Sequence, residues 1–109
     1  MSKFTIFKGS NGNYYFNLKA SNGEKVLSSE GYTSKIACQN GIVSVKENSQ
    51  YDSRYEKKIS INSKYFFVLK ASNGQTIGTS EMYETSFSRD NGIAVVKKIA
   101  PSAVVEDLT

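Results

Sequence analysis

Few side chains in this sequence could do chemistry, and their spacing limits what each could do. Cys38 is the only cysteine and there is no histidine, so the one candidate nucleophile has no imidazole to take its proton near neutral pH. Glu30 and Glu81 recur fifty-one residues apart in matched runs, Ser29-Glu30-Gly31-Tyr32 and Ser80-Glu81-Met82-Tyr83, and two carboxylates are the minimum for paired acid and base work. Nothing near either supplies a second catalytic group. They read instead as solvated, or as answering backbone donors near a helix start. Tyr32 and Tyr83 read as packed rings whose hydroxyls reach a partner, and Cys38 as a small core residue. The carboxylates are neither clustered nor spaced as a calcium loop, and one cysteine without histidine cannot make a zinc site. No phosphate loop or dinucleotide fingerprint is present. We expect a non-enzyme with no cofactor and no bound metal.

What remains is the chemistry of contact. Along Tyr14 to Ala20 the side chains alternate, Tyr14, Phe16, Leu18 and Ala20 on one face and Tyr15, Asn17 and Lys19 on the other, which is the pattern of a half-buried strand. Tyr65, Phe67, Leu69 and Ala71 repeat the buried set, whereas the opposite set reads Phe66, Val68, Lys70. Two changes on one side of one strand remove polarity, and apolar groups left in water gain a role only when something covers them. We therefore expect a contact surface centred on Phe66 and Val68, with Tyr15, Lys19 and Lys70 in it and Phe7 nearby. It would meet a protein partner or a small ligand, or be covered by the chain's own tail, Ala103 to Leu108. The alternative is nucleic acid, with bases stacked on Tyr15 and Phe66 and phosphates held by Lys19 and Lys70. It is not favoured, because no recognised motif is present and Arg54 and Arg89 are the only arginines.

These residues are positioned by a duplication. Phe16-Asn17-Leu18-Lys19-Ala20-Ser21-Asn22-Gly23 returns as Phe67-Val68-Leu69-Lys70-Ala71-Ser72-Asn73-Gly74, and close to half of the ungapped positions between Tyr15–Lys46 and Phe66–Lys97 are identical. Shared turn and core positions mean two copies of one fold. Lys3 to Lys8 reads as a first strand, Gly9-Ser10-Asn11-Gly12 as its turn, and Lys25 to Ser29 as the third strand. Asn22-Gly23 and Asn73-Gly74 read as type I′ hairpin turns. Thr33 or Ser34 caps a helix to about Glu47, with Cys38, Gly41, Ile42 and Val45 on one side. Glycine in a helix is unfavourable by about 1 kcal/mol against alanine, so Gly41 and its counterpart Gly92 place the helix backbone close to the sheet. The second copy follows with Tyr55 to Ile59, Thr76 to Ser80 and a helix from Thr85 or Ser86 to about Lys98. After Pro101, Ala103 to Glu106 is a last short strand; by offset it matches Asp52 to Tyr55, so the stretch after each helix pairs outside its own copy.

At 109 residues and 12.1 kDa the chain suits one core rather than two. We take residues 1–109 as a single domain of two repeats, about 3–50 and 54–109, and as a monomer that contains its own pseudo-dimer. The formal charge of +4 comes from 14 basic and 10 acidic residues spread along both halves, a balance that favours solubility over nucleic-acid binding. With a lone cysteine, no apolar span and no signal peptide at Met1-Ser2-Lys3-Phe4, the expected compartment is the cytoplasm, without membrane attachment.

The LKASNG run, the paired Ser-Glu-x-Tyr motifs, the Asn-Gly-Ile of both helices (Asn40-Gly41-Ile42 and Asn91-Gly92-Ile93) and Arg54-Tyr55-Glu56-Lys57-Lys58 together resemble the YegP family of small bacterial proteins. The resemblance covers almost the whole chain. It implies an α+β fold in which two tandem β-β-β-α-β repeats form one antiparallel sheet, with two helices on one face and the C-terminal strands exchanged between repeats. Single-repeat members reach the same arrangement as dimers. The family carries no established activity, so the resemblance transfers no catalytic residue. The second copy departs from the first at Arg89, which replaces Cys38 and is expected to tilt or expose that helix face, and at Ser63-Lys64, where the first hairpin turn has lost its glycine.

Overall fold

The computed structural model describes residues 1–109. Strands β1 (Lys3–Lys8), β2 (Tyr14–Lys19) and β3 (Lys25–Ser28) precede helix α1 (Lys35–Asn48). Strands β4 (Tyr55–Ile59), β5 (Tyr65–Lys70) and β6 (Thr76–Thr79) precede helix α2 (Ser86–Ile99), and β7 (Val104–Asp107) closes the chain. Ser34 caps α1 by accepting from the Ala37 N–H, and Thr85 caps α2 by accepting from the Ser88 N–H.

All four hairpins close with the same pair of backbone hydrogen bonds. At Ala20 to Glu24 the Ala20 N–H donates to the Glu24 carbonyl and the Gly23 N–H to the Ala20 carbonyl, and the Asn22 side chain accepts from the Glu24 N–H. Only the glycine takes a positive φ, +86°. The turn is therefore type I followed by a left-handed glycine rather than the expected type I′, because the asparagine side chain holds its own backbone on the ordinary side of φ. At Ser63 the missing glycine does not loosen the hairpin: Ser63 adopts φ 66°, and the Ser60–Lys64 closure forms. An L-residue in that region is unfavourable by about 1 kcal/mol, so Ser63→Gly is expected to raise stability by roughly that amount in chemical denaturation.

The seven strands form one sheet in the order β4-β5-β6-β3-β2-β1-β7. The two copies abut where β3 meets β6 at Ser28 and Thr79, and both helices pack on one face. Each helix reaches into the other copy, α1 onto β6 and α2 onto β3. One core cluster joins Phe4, Ile6, Phe16 and Leu18 to Phe67 and Leu69, beneath Cys38, Ile42, Val45, Ile93 and Val96.

Two details differ from expectation. The sheet is mixed rather than wholly antiparallel, because β7 runs parallel to β1, Lys3 opposite Val104 and Thr5 opposite Glu106. Residues Asp52–Arg54 make a 3₁₀ turn rather than a strand. The offset explains this: the counterpart of β7 is 53–56, which runs into β4, so Tyr55 and Glu56 pair with Leu69 and Val68 in the second copy. Of the strands after the helices, only β7 pairs outside its own copy, as an added strand on β1, whereas β4 pairs with β5 of the same copy. The backbone ladder joins β7 to β1, and two surface ion pairs flank it: Lys3 meets Glu106 at 3.2 Å, and Lys35 meets Asp107 at 3.0 Å. Hydrogen bonds from Thr109, then Lys35, bring the Asp107 carboxyl down to about 2.

Candidate functional site

With both helices on one face, the other is covered by no element. Its middle is traced by register: Glu56 lies opposite Val68, Val68 opposite Thr79, Thr79 opposite Ser28, Ser28 opposite Asn17, and Asn17 opposite Thr5, which neighbours Glu106. Pairing at Ser28 and Thr79 sets the copies antiparallel, so counterpart residues fall at opposite ends of the face. Phe66 is level with Lys19, not with Tyr15.

The five residues expected at the contact surface therefore form two groups. Tyr15 and Lys19 are on β2; Phe66, Val68 and Lys70 are on β5; β3 and β6 lie between, a separation of about 14 Å at the usual strand spacing. Phe66 is half-buried opposite Lys58. Tyr15 stacks on Phe7 with ring centres 5.6 Å apart, and its hydroxyl accepts from Asn11 at 2.9 Å. Lys70 reaches the Glu56 carboxylate at 2.9 Å, and that contact, with Lys58 beyond it, holds Glu56 below the usual carboxylate range. Val68 does not lie open as expected. It is 6% exposed yet is the one buried hydrophobic outside the core cluster, packed on the helix-free face with Glu56 and Thr79 as its cross-strand neighbours. Nor does the tail cover it, since β7 is at the far edge of the sheet.

On the helix side the motif residues do structural work. Ser29 Oγ accepts from the Phe16 N–H at 2.9 Å and donates to the Glu30 carbonyl at 2.8 Å. Ser80 repeats this with Phe67 and Glu81, both at 2.9 Å. Tyr32 and Tyr14 exchange backbone hydrogen bonds, as do Tyr83 and Tyr65. The Ser-Glu-x-Tyr run therefore fastens the chain back to β2 or β5 before the helix, and its serine is the residue our sequence reasoning passed over; its presence in both copies was the signal. Tyr32 stacks on Phe16 at 6.3 Å, and burial pushes its hydroxyl up in pKa. Glu81 lies 3.9 Å from Lys25, with no second catalytic group beside it. Cys38 is fully buried, and burial, then Asp107, pushes its thiol up, away from the reactive thiolate. Arg89 does not open its helix face: its guanidinium lies 5.3 Å from the Tyr65 ring centre with the side chain 12% exposed, beside Asp90. No helix is long and apolar enough to cross a membrane.

The model of a family described as a domain of unknown function, DUF1508, matches the chain twice, over residues 10–56 and 61–107. This chain belongs to the DUF1508 family. The two matched segments start at the first hairpin turn of each copy and end in β4 and β7. UPF0339 protein YegP of Yersinia pestis is 50% identical over 109 residues, all of this chain and 97% of that protein. A UPF0339 protein of Bordetella pertussis is 49% identical over the same length, 98% of its own. The solution NMR structure of the Escherichia coli protein of unknown function yegP superposes with a TM-score of 0.94 at 49% identity, covering 99% of this chain and 93% of that one. That of a UPF0339 protein of Shewanella oneidensis gives 0.93 at 45%, covering 99% and 92%. None of these descriptions assigns a function, and the DUF1508 fold supplies no catalytic residue to compare.

Proposed function

We propose that this chain is a non-enzymatic binding module that meets a protein partner with the helix-free face of its sheet. One observation carries the reading: that face sets the half-buried rings of Phe66, Phe7 and Tyr15 among lysines largely answered by carboxylates, Lys3 by Glu106, Lys70 by Glu56 and Lys25 by Glu81. Rings within mixed charge suit a protein surface, whereas a polyphosphate is held by a continuous run of unanswered cations. The module works as a monomer, and the cytoplasm is the compartment that keeps Cys38 reduced.

The immobilised chain is expected to retain a specific protein from a nuclease-treated bacterial lysate, identified by mass spectrometry, and Phe66→Ser is expected to abolish retention while the circular dichroism spectrum is unchanged. Identical retention by both forms would remove Phe66 from the surface. Sub-micromolar binding of single-stranded DNA near physiological salt would turn the reading to nucleic acid.

A further inference from the structure

The two copies differ at one pair of positions in a way that leaves a cation unanswered. In the second copy Lys70 meets the carboxylate of Glu56, which stands diagonally across on the neighbouring strand. Fifty-one positions earlier stand Lys19 and Thr5. The lysine is kept, and the carboxylate has become a hydroxyl. Thr5 lies in register with Asn17 and Glu106 on the helix-free face, is 2% exposed, and its Oγ1 is the one buried side-chain polar atom with no hydrogen-bond partner. A buried hydroxyl left without a partner is a standing cost that folding alone does not explain.

The surroundings of Lys19 sharpen this. It lies directly between Lys3 on β1 and Lys25 on β3, and like charges opposed on adjacent strands repel. Lys3 is answered by Glu106 at 3.2 Å and Lys25 by Glu81 at 3.9 Å, while Lys19 meets no carboxylate. We propose that Lys19, with Lys3 beside it, seats an external carboxylate, an acidic side chain of the protein partner, above the buried Thr5, in the place that Glu56 fills in the second copy. A single negative charge fits this place: Glu106 neighbours Thr5, so a phosphate dianion would meet its repulsion, whereas one carboxylate is balanced by Lys19 and shares Lys3. The identity of the occupant rests on the protein-binding reading of this face; the site itself is tested without a partner.

The test titrates the ¹⁵N-labelled chain with a hexaglutamate peptide at low salt, and in parallel with inorganic phosphate and a short single-stranded DNA, following amide shifts. Hexaglutamate is expected to move Lys3, Thr5 and Lys19 and to leave Lys70 in place. Lys19→Gln is expected to weaken it at least tenfold. Thr5→Glu, which supplies the carboxylate internally, is expected to do the same, and Glu56→Thr is expected to open a second set of shifts around Lys70. Should Thr5→Glu not fold, the changes at the half-buried Lys19 (Lys19→Gln) and the exposed Glu56 (Glu56→Thr) carry the test. Shifts spread over all lysines and indifferent to these substitutions would overturn the site. Tighter binding of phosphate or DNA at the same residues would overturn the carboxylate assignment. Loss of the site with Phe66-dependent lysate capture intact would leave the binding-module reading standing, and the reverse pattern would remove that reading alone.

Discussion

Residues 1–51 alone are expected to be unfolded as a monomer, with collapsed amide dispersion and no folded species of half mass by sedimentation. The fragment keeps β1 to β3 and α1 but loses what covers them. Phe4 and Ile6 are fully buried beside an edge that β7 closes. Without β7 that edge and its apolar side chains are open. Leu27 packs so tightly on the second copy that a Cβ added at Gly78 would lie 2.5 Å from its Cδ2, and α1 rests partly on β5 and β6. About fifty residues with half a core rarely supply more than 3–5 kcal/mol even when complete. Self-association is the one escape, with β3 of one fragment pairing with β3 of another as β3 pairs with β6 in the whole chain. A folded monomer of the fragment would refute the view that the copies build one core.

Much of this architecture was legible because the chain states it twice. Two runs of alternating side chains, two Asn-Gly turns and two helices with an internal glycine fix elements and faces, whereas the turn type and the register shift it brings at Leu18/Lys19 and Leu69/Lys70 were not read from them. What could not be read lay where the copies meet or differ. The direction of β7 depends on which end of the sheet α2 delivers it to, and no residue in Val104–Asp107 encodes that. The separation of Tyr15 from Phe66 follows from the pairing of Ser28 with Thr79, a single contact invisible to periodicity. Val68 shows the limit most plainly. Alternation placed it correctly on the outward face, but on a broad sheet of seven strands an outward β-branched residue flanked by Phe66, Lys70, Glu56 and Thr79 is shielded by its neighbours, so outward does not mean open. Thr5 is the same case with a hydroxyl, and there the shielding leaves a polar atom without a partner.

Gly41→Ala and Gly92→Ala are each expected to destabilise the fold by about 2–3 kcal/mol in urea denaturation, against the helix propensity that would favour alanine by about 1 kcal/mol. The glycines matter for space rather than for φ. A Cβ at Gly41 would lie 2.4 Å from the Tyr32 hydroxyl oxygen, 2.7 Å from Cζ and 3.1 Å from Cε2 of Phe16; at Gly92 it would meet Tyr83 at 2.4 and 2.8 Å and Phe67 at 3.3 Å. The close neighbour is thus the tyrosine ring of the Ser-Glu-x-Tyr run rather than the sheet backbone that the sequence led us to expect. The ring has little room to retreat: Tyr32 is stacked on Phe16 and tied through its backbone to Tyr14, while Phe16 is fully buried. Tyr32→Phe removes the nearest atom but leaves the ring carbon at 2.7 Å, so it should return only part of the loss. Tyr32→Leu removes the obstruction, and Gly41→Ala added to it should cost nearly nothing or stabilise slightly. That non-additivity is the measurement that separates this account from a purely local helix effect. If Gly41→Ala costs the same with tyrosine or leucine at position 32, the glycine is not there to admit the ring.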